Sequence, residues 1–226
     1  MNHHLSVIIP TLNEEKSLPW ALKSLELISP DEVIVVDGGS KDKTREIAEF
    51  FGAKVILSEK GRGKQLKAGA EVAKGDLLFF MHADTQILDK IDLKSLYQRG
   101  IKAGFFKLIY NKNGLSLRIL EKLINFRAKL FHLPYGDQGL FIERKLYEKL
   151  GGFKEYPFLE DFDLVLRLRR AYPPVELPGR ILASSRKFSS KIPFYPFWIS
   201  LKNNFILLLF LCGVSPNFLK NFINEI

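Results

Sequence analysis

The sequence predicts an α/β protein: a mainly parallel central sheet with helices on both faces, followed by a C-terminal helical extension. Three observations predict it. Apolar strand-like runs alternate with helix-like segments through the first 85 residues, with short connections, the pattern of a helix-covered parallel sheet. The run Leu77-Leu78-Phe79-Phe80-Met81 is continuously apolar, as strands buried on both faces are. Finally, 226 residues with 46% hydrophobic and 26% charged content suffice for one sizeable domain with its own core. No linker or internal repeat is visible, so residues 1–226 are read as one domain.

In chain order, Leu5 to Ile9 reads as the first strand, broken by Pro10. Ser17 is placed as the N-cap of a first helix, with Pro19 in its first turn and Trp20, Leu22, Leu25 and Ile28 at helical spacing. Asp31 to Val36 is a second strand and Lys41 to Phe51 a second helix, closed by Gly52. Lys54 to Leu57 and Arg62 to Ala73 give the third strand and helix. The strand Leu77 to Thr85 follows. Beyond it, helices are predicted at Asp92–Ile101, Leu115–Phe131, Arg144–Leu150, Glu160–Ala171 and Pro193–Cys212, and strands at Ala103–Tyr110, Leu140–Ile142 and Val175–Ala183.

Charge is uneven. Residues 1–100 hold 14 Lys and Arg against 15 Asp and Glu, whereas residues 101–226 hold 20 against 10. The second half therefore suits an anionic partner or a solvated basic surface. The single cysteine, Cys212, allows no internal disulfide and fits a reducing compartment. The residues Met1-Asn2-His3-His4 lack the pattern of a signal peptide, and no apolar run is long enough to span a bilayer.

The chemistry-bearing residues fall at strand ends. They are Pro10-Thr11-Leu12-Asn13-Glu14 after strand one, Asp37-Gly38-Gly39-Ser40 after strand two, Gly61-Arg62-Gly63 after strand three and His82-Ala83-Asp84 after strand four. In a doubly wound sheet these ends converge on one edge, where ligands bind. A carboxylate there can grip a ribose or base, amides and Arg62 can meet phosphate oxygens, and Asp84 can hold a divalent cation against a pyrophosphate. Together they describe a nucleotide-diphosphate site. Individually, an Asp-Gly-Gly-Ser stretch is an ordinary turn. A histidine beside a strand is often structural, and on a strand His82 would point to the same side as Asp84.

These motifs, with Gly61-Arg62-Gly63-Lys64-Gln65, Tyr135-Gly136-Asp137-Gln138-Gly139 and Leu159-Glu160-Asp161, resemble family 2 glycosyltransferases of the GT-A fold. The pattern is most similar to the radical-SAM/selenodomain-associated transferase 2 subgroup. The resemblance implies a nucleotide-sugar-binding half at residues 1–100, an acceptor and catalytic half at 101–192 and an apolar segment at 193–226. It implies nucleotide contacts from Pro10, Thr11, Asn13, Glu14, Asp37, Gly39, Arg62, Lys67 and Ala83, with Lys67 standing where the family often has Asn. It implies Mg²⁺ or Mn²⁺ at Asp84, with His82 in place of the first acid of the usual Asp-x-Asp motif. Glu160 and Asp161 match the catalytic pair, Asp161 as base of an inverting reaction, and Asp137 and Gln138 belong to the acceptor side. Without the upstream motifs, Glu160, Asp161 and Asp163 would read as acids favoured by a helix N-terminus.

The implied partners are a UDP- or GDP-sugar and a hydroxyl or polyprenyl-phosphate acceptor. The implied location is cytoplasmic or peripheral at the inner membrane face. The stretch Phe194 to Val214 with Lys187, Lys191 and Lys202 nearby reads as core packing, a dimer contact or a membrane-interface helix. A dinucleotide-dependent dehydrogenase is excluded at strand one, where Pro10-Thr11-Leu12-Asn13 replaces a glycine-rich turn; a sugar nucleotidyltransferase would want such a turn too. No nucleic-acid motif is present. The remaining alternative is a non-catalytic nucleotide- or anion-binding module on the same scaffold.

Overall fold

The structure is a computed structural model and describes residues 3–112, 114–186 and 195–224. Its strands are β1 (Leu5–Thr11), β2 (Glu32–Asp37), β3 (Lys54–Leu57), β4 (Leu77–Phe80), β5 (Thr85–Ile87), β6 (Ala103–Tyr110), β7 (Leu140–Glu143) and β8 (Val175–Ala183). The helices are α1 (Leu18–Ser24), α2 (Thr44–Phe50), α3 (Arg62–Val72), α4 (Leu93–Gln98), α5 (Leu115–Phe131), α6 (Arg144–Lys149), α7 (Glu160–Ala171), α8 (Tyr195–Leu211) and α9 (Pro216–Asn224).

The strands form one sheet in the order β3-β2-β1-β4-β7-β6-β8-β5. β1 to β4 run parallel to one another. β7 is antiparallel to both β4 and β6, β8 is parallel to β6, and β5 is antiparallel to β8. The parallel expectation therefore holds through β4, and the second half is mixed. Alternation along the strands divides the core. Val7, Ile9, Phe79 and Phe141 face one layer with α1 and α5, and Ile8, Val36, Leu78 and Phe80 face the other with α3, α6 and α7. Gly69 lets α3 lie close on the sheet, because a Cβ there would sit 2.4 Å from Ile8 Cγ2.

Four sequence expectations shift. Ser17 flanks α1 but its hydroxyl makes no cap hydrogen bond. α2 begins at Thr44 because residues 41–43 form a loop tied to the one after β1. β4 ends at Phe80, and residues 82–85 form a turn in which the His82 carbonyl accepts from both the amide and the hydroxyl of Thr85. His82 and Asp84 thus sit on a turn, and the same-side argument for a strand does not apply to them. α9 was not foreseen. The predicted helix at Pro193–Cys212 is α8 over its described part; Pro193 and Phe194, with Lys187 and Lys191, lie outside the described residues.

Candidate active site

The C-terminal end of β1, the turn after β4 and the start of α3 enclose a cavity of about 740 Å³ lined by Pro10, Thr11, Glu14, Arg62, Ala83 and Asp84. The loops around it are laced together by their own polar groups. Asn13 takes a left-handed backbone conformation (φ 56°), which Asn tolerates better than most residues. Its side-chain oxygen accepts from the Lys41 amide at 2.8 Å, and its amide donates to Ser40 Oγ at 2.8 Å. The Glu14 amide donates to Thr44 Oγ1 at 2.8 Å. Asp37 is fully buried and accepts from the amides of Gly39 and Ser40 at 3.1 and 2.9 Å, so its carboxylate shapes the loop from beneath. Lys67 points to the surface and pairs with Glu155 at 2.7 Å. Of the nucleotide set read from the sequence, Asn13, Asp37, Gly39 and Lys67 are not among the residues lining this cavity.

The acidic pair opens α7. Leu159, just before it, is held at φ 63°, a costly conformation for a branched side chain. Glu160 is fully buried and ion-paired with Arg62 of α3. Asp161 accepts the Gly136 amide on Oδ2 and the Phe162 amide on Oδ1, both at 2.8 Å, with Arg62 Nη2 3.8 Å away. Gly136 is sterically required: a Cβ there would stand 2.7 Å from Asp161 Oδ2 and 2.8 Å from His82 Nε2. Burial pushes the Asp161 carboxyl up, but Arg62, His82 and the two amides outweigh it and hold it below the ordinary aspartate range. Glu160 goes the other way: burial, reinforced by the neighbouring Asp161 charge, raises it despite Arg62. Arg62 is kept protonated because Asp161 and Glu160 overcome the opposing effect of its burial.

A second cavity of about 670 Å³ is lined by Asp161 with Asp137, Tyr135, Phe162 and residues of α5 and α8. Arg62, His82 and Asp84 line both cavities, so the two meet at these side chains. Asp137 lines the second cavity, whereas Gln138 is fully buried and bonds to the Phe106 carbonyl and the Tyr135 amide instead. Arg127 stacks on Tyr135, its guanidinium carbon 3.4 Å from the ring centroid, which fixes that wall.

Among the described residues no group of three or more His, Cys, Asp or Glu is placed to hold a metal. One hard carboxylate, Asp84, facing a cavity of nucleotide-diphosphate size fits Mg²⁺ or Mn²⁺, since such ions are commonly held by one or two carboxylates plus substrate phosphates. Asp84 here meets a guanidinium: Arg186 Nη2 lies 3.2 Å from Asp84 Oδ2, and the same side chain pairs with both oxygens of Glu14 at 3.0 and 2.5 Å. Sequence reasoning missed Arg186, which lies 172 residues from Glu14 in a stretch with no motif. Gln65, part of the Gly61–Gln65 motif but given no role there, bonds the carbonyls of Thr11 and Val36 through its amide nitrogen at 2.8 Å.

Residues 6–105 match the family model described as glycosyl transferase family 2. That is a little under half of the chain. Among similar proteins is the 4,4'-diaponeurosporenoate glycosyltransferase of Staphylococcus haemolyticus, 40% identical over 103 residues, covering 42% of this chain and 28% of that protein. A PGL/p-HBAD biosynthesis glycosyltransferase of Mycobacterium bovis is 29% identical over 183 residues, covering 72% of this chain and 68% of that one. The chain thus spans about a quarter of the first relative's length and about two thirds of the second's. The fold is shared with S. aureus TarS in complex with UDP-GlcNAc (TM-score 0.63, 21% identity, 84% of this chain and 62% of that one). It is shared too with the mannosyltransferase PcManGT from Pyrobaculum calidifontis in complex with GDP-Man and Mn²⁺ (TM-score 0.62, 20% identity, 84% and 59%). The arrangement is therefore the GT-A fold.

Proposed function

We propose that this protein is an inverting, divalent-cation-dependent glycosyltransferase that moves a sugar from a nucleoside-diphosphate donor to an acceptor hydroxyl or lipid phosphate. The observation that carries the reading is the meeting of two cavities at Arg62, His82 and Asp84, with Asp161 on the wall of the second. The first cavity takes the donor and the second the acceptor. Structural neighbours held in complex with UDP-GlcNAc, and with GDP-Man and Mn²⁺, support the donor class and the cation.

For a hydroxyl acceptor, Asp161 removes the proton as the oxygen attacks the anomeric carbon. The new bond forms between that oxygen and carbon, the bond from the carbon to the diphosphate oxygen breaks, and the electron pair leaves with the diphosphate. The Gly136 and Phe162 amides hold Asp161 in place for this step. Glu160, buried beneath, fixes Arg62 at the junction, where its guanidinium faces the leaving phosphates. Arg62 keeps Asp161 acidic in the free protein. A diphosphate on Arg62 draws off that charge and strengthens the base when the donor is bound. A cation bound at Asp84 would supply further positive charge against the diphosphate. Arg186 holds Asp84 in the free protein, so a cation taken up by Asp84 would compete with its guanidinium.

The test is release of nucleoside diphosphate from a panel of UDP- and GDP-sugars with Mn²⁺, with the sugar product's anomer read by proton NMR. The expected result is turnover of one donor class with the anomeric configuration inverted, abolished in Asp161→Asn. Retained configuration, or turnover undiminished in Asp161→Asn, contradicts the assignment. A protein that binds nucleotide with no turnover of any donor supports the second reading, a binding module.

A further inference from the structure

The described residues leave sixteen large hydrophobic side chains exposed, and eleven of them belong to α5 and α8. On α5 they are Leu115, Ile119, Leu123, Phe126, Leu130 and Phe131, and Phe126 is 64% exposed. The steps of three and four residues place the first five along one side of the helix. The opposite side of α5 is equally apolar, with Leu117, Leu120, Ile124 and Ala128 buried in the core. α8 repeats the arrangement. Trp198, Leu201, Phe205, Leu208 and Leu211 are exposed, while Ile206 and Leu207 are buried. The two helices pack against each other. Their inner residues Leu120, Ile124, Ile206 and Leu207 wall the second cavity, with Trp198 and Lys202 beside them. A protein that leaves so much apolar surface on adjoining helices keeps it for a partner.

Charge decides which partner. Of the five Lys and Arg in residues 112–131, Arg118 pairs with Glu121 and Arg127 stacks on Tyr135, while Lys112, Lys122 and Lys129 are exposed; residues 195–220 add the exposed Lys202 and Lys220 and no acid. Glu121, the single acid, is buried and accepts the Tyr110 amide. A two-fold pairing of this face with a second copy would set basic surface against basic surface. An anionic lipid surface instead matches both the apolar stripes and the lysines flanking them. No described helix is long and apolar enough to cross a membrane, so the contact is with one leaflet.

We infer that the outer faces of α5 and α8 dock on an anionic lipid bilayer, setting the second cavity between those helices beside the lipid. An acceptor with an apolar tail then reaches Asp161 along cavity walls that are themselves apolar. The docking does not depend on which donor is used.

The experiment is co-sedimentation of the full chain with phosphatidylcholine vesicles and with phosphatidylcholine–phosphatidylglycerol vesicles, at about 0.1 M and about 0.5 M salt. Light scattering on the protein alone accompanies it. The expected result is binding to the phosphatidylglycerol vesicles that weakens at high salt. Leu123→Glu/Phe126→Glu lowers it about tenfold or more, since each change removes an apolar side chain from the interface. Both positions are exposed, so the fold is retained, and unchanged calorimetric nucleotide binding by this variant separates loss of docking from loss of the donor site. Lys122→Glu/Lys129→Glu leaves the stripe intact and lowers binding through charge alone. No binding to either vesicle overturns the inference. So does a stable dimer that Leu123→Glu/Phe126→Glu dissociates in the absence of vesicle binding, because the stripe is then covered by a second copy.

Discussion

Arg62 is the residue on which the junction depends. Its partner Glu160 is fully buried, and a buried charge that loses its counter-ion is costly. Arg62→Ala is therefore expected to lower unfolding free energy by on the order of 3 kcal/mol in urea melts, with Arg62→Ala/Glu160→Gln recovering much of it. An unchanged urea midpoint in Arg62→Ala contradicts the pairing. Gly136 makes a second residue-scale prediction. A methyl there would press on Asp161 Oδ2 and His82 Nε2, so Gly136→Ala should cut turnover by roughly a hundredfold, the scale of an ångström-sized displacement at the chemistry. Nucleotide affinity should fall much less than turnover, because Gly136 itself lies outside the donor cavity and reaches it only through His82. The sequence pointed to Glu160, Asp161 and Arg62 through their motifs. It could not show that Asp37 and Gln138 are spent on loop amides and carbonyls, since a carboxylate that caps its own turn and one that faces a ligand look alike in sequence.

At the scale of elements, the loop before β2 pins the front of the sheet. Asp31 accepts the Leu5 amide at 2.7 Å and pairs with Lys94 at 2.6 Å, joining the start of β1 to α4. Partial burial raises its carboxyl, but Lys94 and the Leu5 amide outweigh that and hold it below the ordinary value. A depressed folded pKa contributes stability that is present above the unfolded value and disappears as pH falls through the folded one. The difference in urea midpoint between the wild type and Asp31→Asn should thus be constant above about pH 5 and close below about pH 4. A gap that persists at low pH contradicts the ionic account. The helices read from periodicity match best where the pattern is longest: α5 and α7 begin and end at the residues the sequence predicts. β7 was placed as a strand but its antiparallel insertion between β4 and β6 was not legible, because pairing direction is set by the long connections and not by the strand's own residues.

For the whole molecule, the first hundred residues were readable because one alternating pattern and four loop motifs determine a single topology. The second half was less so: its mixed sheet, the Arg186 bridge to Glu14 and Asp84, and the exposed stripes of α5 and α8 arise only when distant segments meet. The proposed function requires a cation and a nucleoside diphosphate to bind together at Asp84. The measurement that tests it most directly is calorimetric titration of UDP and of GDP into the protein with Mn²⁺, with EDTA and in Asp84→Ala. One nucleotide should bind with Mn²⁺ and weaken by about tenfold or more in EDTA and in Asp84→Ala alike, the loss expected when charge on the diphosphate goes uncompensated. Binding that is indifferent to both the metal and Asp84 would contradict the proposal and leave Arg62, Arg186 and the cavity's lysines to meet the diphosphate.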